Sequence, residues 1–215
     1  MQLLHFKGRP IGDHLAHEEE LLRNVAGNFC LINEGSPPAI VMGISGKQEE
    51  LVCPETLNRN PIPVLRRFSG GGTVIVDEDT LFVTFIFDKH HHPFSPYPEP
   101  ILRWAETFYQ EAFSLPSFRL RENDFTLGER KCGGNALYIR KQNWLLHTSF
   151  LWDFTPEKMN YLLFPKKTPH YRQGRAHHEF VCSLKEHFPD KTTCVETIKK
   201  TAERVLPSSQ QRPLS

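Results

Sequence analysis

The chain has 215 residues, 39% hydrophobic and 11% aromatic with 16 Phe, which is enough apolar material for a core and excludes a disordered polymer. With 26 basic against 25 acidic residues the net charge is +1, so no global field recruits nucleic acid or a membrane surface, and any basic site is local. No apolar run approaches the roughly 20 residues of a membrane span, the N-terminus lacks a signal-peptide stretch, and five scattered cysteines (Cys30, Cys53, Cys132, Cys182, Cys194) without a CxxC pair read as reduced thiols of a cytoplasmic protein.

Residues 3–6 read as a strand. Asp13 is placed to cap a helix running to about Val25, with Leu15, Leu21, Leu22 and Val25 on its apolar side. Strands are expected at 29–33 and 39–43, then at 63–67 entering a glycine run. Residues 73–76 and 81–88 read as a strand pair joined by the turn at 77–80. Four prolines make 89–100 a loop, followed by a helix over 101–113. Short strands are expected at 118–121, 125–127, 136–140 and 144–152. Thr155 is placed to cap a helix from Pro156 to about Leu163, and the last helix covers 193–205. Without repeats or linkers, this is one domain over 1–206 with a flexible tail at 207–215. The fold class is α+β, a mixed, largely antiparallel sheet flanked by helices.

Two segments carry chemistry. In the first, Arg66-Arg67-Phe68-Ser69 runs into Gly70-Gly71-Gly72 and then Thr73-Val74-Ile75. Three glycines allow backbone amides to converge and a ligand to approach closely, and the arginines offer charge-assisted bonds to an anion. A Walker loop is excluded, because GxxxxGK[ST] is missing and β-branched residues follow. A lone glycine run is usually a hairpin loop with solvated arginines, but two adjacent arginines at a strand end, feeding straight into the glycines, tilt this one toward anion binding. In the second segment, Asn123-Asp124 precedes a turn at Gly128 and then Lys131-Cys132-Gly133-Gly134-Asn135. Lys131 beside two flexible glycines suits a carboxylate or phosphate, and Asp124 suits Mg²⁺. The plain alternative is the charged tip of a hairpin.

Together and in this order, the segments resemble the lipoate–protein ligase branch of the biotin/lipoate ligase family. Leu146-His147-Thr148-Ser149 resembles the family's later His-containing strand, and Glu19-Glu20-Leu21-Leu22 its opening helix. The likeness spans roughly residues 10–185. It implies that Arg67, Gly72, Thr73, Val74 and Ile75 border a nucleotide, and that Asp124 holds phosphate or Mg²⁺. Lys131 is implied as the catalytic residue, contacting acyl carboxylate and phosphate. Arg66, Ser69, Gly70, Gly71, Asn135 and His147 are implied to line the acyl pocket. The implied activity uses ATP to convert lipoate or octanoate to acyl-AMP, then transfers the acyl group to a lysine. The implied acceptors are lipoyl domains of 2-oxoacid dehydrogenase complexes or a glycine cleavage H protein.

The sequence departs from the family at three points. Val76 and Leu146 stand where histidines are frequent, and Cys182 replaces a Thr. The stretch 120–124 lacks the Trp-Pro of biotin ligases, which favours lipoate. No room is expected for the extra C-terminal domain of many bacterial relatives, so a separate accessory chain is one expectation. Two other functions stay open: a transferase that takes acyl-AMP or an acyl-carrier donor without ATP, and a non-catalytic binder of acyl-adenylate or lipoyl domains. Outside the two segments, His90-His91-His92 reads as a solvated loop. Tyr171-Arg172, Arg175 and His177-His178, after Lys166-Lys167, form a basic aromatic stretch able to meet an acidic acceptor protein or a phosphate, with a solvated surface as the equal alternative. Cys132 and Cys182 read as small buried residues, with acyl nucleophile as the alternative.

Overall fold

A computed structural model describes residues 1–165 and 168–205. The tail expected at 207–215 and Lys166-Lys167 lie outside the described residues. In chain order the elements are β1 (Gln2–Lys7), α1 (Ile11–Asn24), β2 (Phe29–Glu34), β3 (Ala39–Met42), α2 (Gln48–Leu51) and α3 (Pro54–Arg59). Next come β4 (Val64–Arg66), β5 (Val74–Val76), β6 (Thr80–Asp88), α4 (Pro98–Phe113), β7 (Phe118–Arg121) and β8 (Asp124–Leu127). The described chain ends with β9 (Arg130–Ile139), β10 (Asn143–Leu151), α5 (His177–Phe180) and α6 (Lys191–Val205).

A seven-stranded sheet has the order β1-β2-β6-β10-β9-β8-β7, with only β1 and β2 parallel. A second sheet, β4-β3-β5, is mixed. The expected α+β class with a mixed, largely antiparallel sheet is what forms. Strand β6 explains the layering. Its Leu81, Val83, Phe85 and Phe87 face a core shared with Tyr109 of α4 and Ile198 of α6, while Phe82 and Ile86 face α1. Side chains alternate across a strand, so a strand buried at every position from Thr80 to Phe87 is covered on both faces.

Four expectations need correction. The segments at 73–76 and 81–88 do not pair: β5 pairs with β3, and β6 lies between β2 and β10. The turn between them is closed locally, with Asp79 N–H donating to Asp77 Oδ1 at 2.9 Å and Asp77 N–H to Thr80 Oγ1 at 3.1 Å. It carries the chain from one sheet to the other. Asp13 is not a cap; α1 starts at Ile11, whose N–H donates to Ser36 Oγ at 3.0 Å, a cap supplied from 25 residues away. Thr155 precedes a 3₁₀ turn, Pro156–Tyr161, without a side-chain cap, because Leu162 is drawn off to bridge Val52. Finally, Pro98 and Pro100 begin α4 rather than ending the loop; a first turn needs no N–H from them.

Candidate active site

A cavity of about 750 Å³ lies between the two sheets. Its apolar lining includes Ile11 and Leu15 of α1, Val41, Phe82, Leu102 and Ile139. Its polar lining comes from the glycine run, from β9 and β10, and from the segment through Arg172 and His177. An apolar chamber with a few convergent polar groups is the usual form of a small-molecule site.

Lys131 sits on β9, not on a flexible loop as its glycine neighbours led us to expect. Both glycines are inside the strand for steric reasons. A Cβ on Gly133 would lie 2.7 Å from the Phe150 ring. A Cβ on Gly134 would lie 3.0 Å from Lys131 Nζ. The bare Gly134 therefore leaves the space that the lysine side chain crosses. Lys131 Nζ then meets Asp124 Oδ1 at 2.8 Å, and Asp124 Oδ2 accepts from the Tyr171 hydroxyl at 2.9 Å. Burial, reinforced by the Asp124 charge, pushes the Tyr171 phenol well above its usual range, so it stays a donor. The backbone of Lys131 is fixed as well, since its carbonyl accepts from Cys182 N–H at 2.8 Å.

The glycine run is organised by Arg67. This buried guanidinium donates to Gly70 O twice, at 2.8 and 3.1 Å, and to Gly72 O at 2.8 Å. Burial lowers its pKa to about 10, opposed by the Glu18 charge, so it remains a cation at neutral pH. Gly71 has φ +102°, and a Cβ there would strike Arg67. Gly43 is packed on the same loop; a Cβ would lie 2.2 Å from Gly71 O. At Gly70 and Gly72, by contrast, nothing lies within 4 Å of an added Cβ. Those two positions line the cavity and are bare toward it, as a ligand cradle requires. Thr73 Oγ1 is buried beside them without a hydrogen-bond partner among the described residues.

Deeper in, His147 of β10 shares its Nδ1 with Glu18 Oε1 at 2.7 Å and with Thr84 Oγ1 at 3.2 Å, while Nε2 meets Ser149 Oγ at 3.1 Å. His14, one turn before Glu18, brings Nε2 to 3.0 Å from the same oxygen. Desolvation pushes the Glu18 carboxyl up, but the fields and hydrogen bonds of His147 and His14 outweigh it and hold the group well below the carboxylate range. These three residues present ligating atoms within 4.8 Å of one another, an N, N, O set of the type zinc accepts. Glu18 Oε1 is already met by Thr84 Oγ1 and His147 Nδ1, whereas Glu18 Oε2 and both His14 nitrogens make no well-aligned hydrogen bond among the described residues.

Of the residues implied by the motifs, Arg67, Gly70, Gly71, Gly72, Thr73, Val74, Ile75, Asp124, Lys131, Asn135 and His147 all line this one cavity. Asn135 is locked by Thr148 Oγ1 at 2.7 Å and reaches Asn123 O at 3.0 Å. Two are not brought in. Arg66 turns outward and donates to Ile44 O at 2.9 Å, and buried Ser69 does not line the cavity. Strand alternation puts Arg66 opposite Arg67. The sequence reading missed Glu18, His14, Thr84 and Gly43. A signal existed for the first two: an ionisable i, i+4 pair on the face that also carries Ile11, Leu15 and Leu22.

The histidine loop is not simply solvated. His91 stacks on Phe87 and His92 on Phe94, and burial lowers His92 to about 4. Both candidate thiols are buried with pKa values raised by desolvation, and Cys132 Sγ donates to Phe125 O in the core. Neither has the character of a nucleophile.

The profile of the lipoyl protein ligase A/B catalytic domain matches residues 10–206, which includes every part of this site. The chain belongs to that family. An inactive lipoate–protein ligase 2 of Plasmodium falciparum is 27% identical over 204 residues, covering 77% of this chain and 52% of that protein. The chain spans about half the length of the curated ligases it matches. Among solved structures, a bi-partite lipoate protein ligase from Thermoplasma acidophilum, solved in a study with its E2 lipoyl domain, superposes with a TM-score of 0.79 at 18% identity, covering 95% of this chain and 83% of that one. A lipoate-protein ligase A bound with ATP gives 0.77 at 18% identity, with 95% and 85% covered. The family member therefore has the biotin/lipoate ligase catalytic fold.

Proposed function

We propose that this family member activates lipoate or octanoate with ATP and transfers the acyl group to a lysine of a lipoyl domain. The observation that carries the reading is Lys131 Nζ, held at the cavity by Asp124 over bare Gly134. The acyl carboxylate attacks the α-phosphate of ATP, releasing pyrophosphate and leaving acyl-AMP. The ε-amine of the acceptor lysine then attacks the mixed anhydride, AMP leaves, and the amine loses its proton. Lys131 offsets charge on the phosphorane and then on the tetrahedral oxyanion. Gly70 and Gly72 let the nucleotide approach the backbone, and the apolar lining holds the acyl chain. Asp124 supplies a hard carboxylate that suits Mg²⁺ shared with the substrate phosphates, which would neutralise their charge.

A second reading is favoured by one observation: a relative matched over 77% of this chain is named an inactive ligase. In that reading the domain transfers a preformed acyl group, and a separate chain performs activation, as a bi-partite system permits. One experiment separates them. Purified protein is incubated with an apo lipoyl domain and either Mg²⁺-ATP with lipoate, lipoyl-AMP, or octanoyl-carrier protein, and the domain is weighed by mass spectrometry. Mass gain with ATP and lipoate supports the ligase. Gain only with a preformed donor supports the transferase. No gain with any donor overturns both and leaves a binder.

A further inference from the structure

The basic aromatic stretch singled out in the sequence is not used by the chemistry above. In the structure it folds over the cavity beside Lys131. Arg172 is 4% exposed and lines the cavity. Its guanidinium carbon lies 4.3 Å from the Phe164 ring centroid and 5.0 Å from that of Phe180. Among the described residues its one side-chain hydrogen bond runs from Nε to Arg175 O at 2.9 Å, and its buried Nη2 has no hydrogen-bond partner among them. No carboxylate among the described residues pairs with it.

A buried guanidinium normally meets a carboxylate, because an unpaired buried charge is costly. The fold nevertheless fixes this one carefully. Arg175 returns the contact, donating from Nε to Arg172 O at 3.0 Å and from Nη2 to Tyr171 O at 2.6 Å. Tyr171 in turn ties the turn to Asp124, the partner of Lys131. Two aromatic rings therefore hold a rigid fork of donors that no carboxylate among the described residues meets. His177, beside it on the cavity wall, is half-buried, and desolvation with the Arg172, His178 and Lys131 charges lowers it to about 4. It is neutral at pH 7, so it adds a donor without adding charge.

We propose that Arg172 is a ligand for a phosphate group of the nucleotide, assisted by His177 and facing the same anion as Lys131. This rests on reading the Lys131 wall as the nucleotide side. A planar guanidinium matches two phosphate oxygens at once, which Lys131 as a point charge does not. A phosphate is favoured over the acyl carboxylate because Arg172 and Lys131 would otherwise bring two cations to a single carboxylate charge.

The test is calorimetric titration of the wild-type chain and of Arg172→Met with AMP, pyrophosphate and octanoate separately. The expected result is a roughly ten- to hundredfold weaker affinity for AMP or pyrophosphate, with octanoate within about twofold. Whichever phosphate ligand loses affinity identifies the group that Arg172 holds. Unchanged affinity for both, no wild-type binding of either, or a loss confined to octanoate overturns the proposal. If the variant loses all three, a crystal structure of the wild type with the phosphate ligand that binds decides. A phosphate oxygen in hydrogen-bond reach of an Arg172 Nη supports the site, and one placed elsewhere overturns it. Arg172-dependent phosphate binding in a protein that transfers no acyl group would overturn the enzymatic reading alone.

Discussion

Lys131 Nζ lies 2.8 Å from Asp124 Oδ1 because residue 134 has no side chain to stand in its way. A Cβ at Gly134 would meet Lys131 Nζ at 3.0 Å and Cε at 3.1 Å. The backbone there does not need a left-handed conformation, so alanine fits the strand. Gly134→Ala is therefore expected to keep the fold, displace the ammonium by a few tenths of an ångström and slow acyl transfer about tenfold or more. Lys131→Ala, which removes the charge outright, is expected to cost on the order of 10²–10³ in rate. Both are read by mass of the lipoyl domain over time, with melting temperature as the control for folding. Near-normal transfer by Lys131→Ala would sink the assignment.

The glycine run offers a sharper separation between fold and function. Gly70 and Gly72 face open space, whereas Gly43 and Gly71 are pinned by Gly71 O and by Arg67. Gly70→Ala and Gly72→Ala should leave the melting temperature within about a degree of wild type and weaken nucleotide binding. Gly43→Ala and Gly71→Ala should be destabilising by about 1–3 kcal/mol or more, through a backbone clash and a positive φ respectively. Equal melting temperatures across all four variants would contradict the cradle.

Much of this was legible in the sequence because it is local. The strands around 29–33 and 81–88, the helix over 101–113 and the order of the two motifs follow from periodicity and short spacings. What was missed depends on contacts between distant segments. The 73–88 region looked like a hairpin because nothing local states that β5 belongs to β3. Gly133 and Gly134 looked flexible because their reasons are Phe150 and Lys131. Arg66 and Arg67 looked equivalent, although strand alternation sends one guanidinium outward to Ile44 O and the other to Gly70 and Gly72.

The thiols permit a direct test of mechanism. Burial raises both Cys132 and Cys182, and Cys182 Sγ does no more than reach Arg130 O at 3.5 Å. Cys182→Ser should retain transfer within about twofold with every acyl donor. Cys132→Ser places a hydroxyl in the core and should lower the melting temperature while the folded fraction keeps its specific activity. Trapping of an acyl-thioester on either residue, seen as a hydroxylamine-sensitive mass increase, would overturn the direct route.

Glu18 carries a dependence on pH whose sign is fixed by its partners. Its folded pKa is held below the ordinary value by His147 and His14 against the opposing effect of burial. A carboxylate depressed on folding contributes stability that is fully present above its unfolded pKa, about 4.3. The contribution is lost as pH falls below that value toward the folded pKa, because the unfolded chain takes up the proton first. Removing the charge breaks a buried ionic cluster, which typically costs about 3–5 kcal/mol. In a chain of 215 residues that is a drop on the order of 10 °C in melting temperature. Glu18→Gln keeps the shape and loses the charge, so it should melt well below wild type at pH 6 to 7. The gap should narrow steadily as pH falls from 4.3 toward 3. Calorimetric melts of both proteins across that range check this; a gap independent of pH would mean that Glu18 is not ionised in the folded chain.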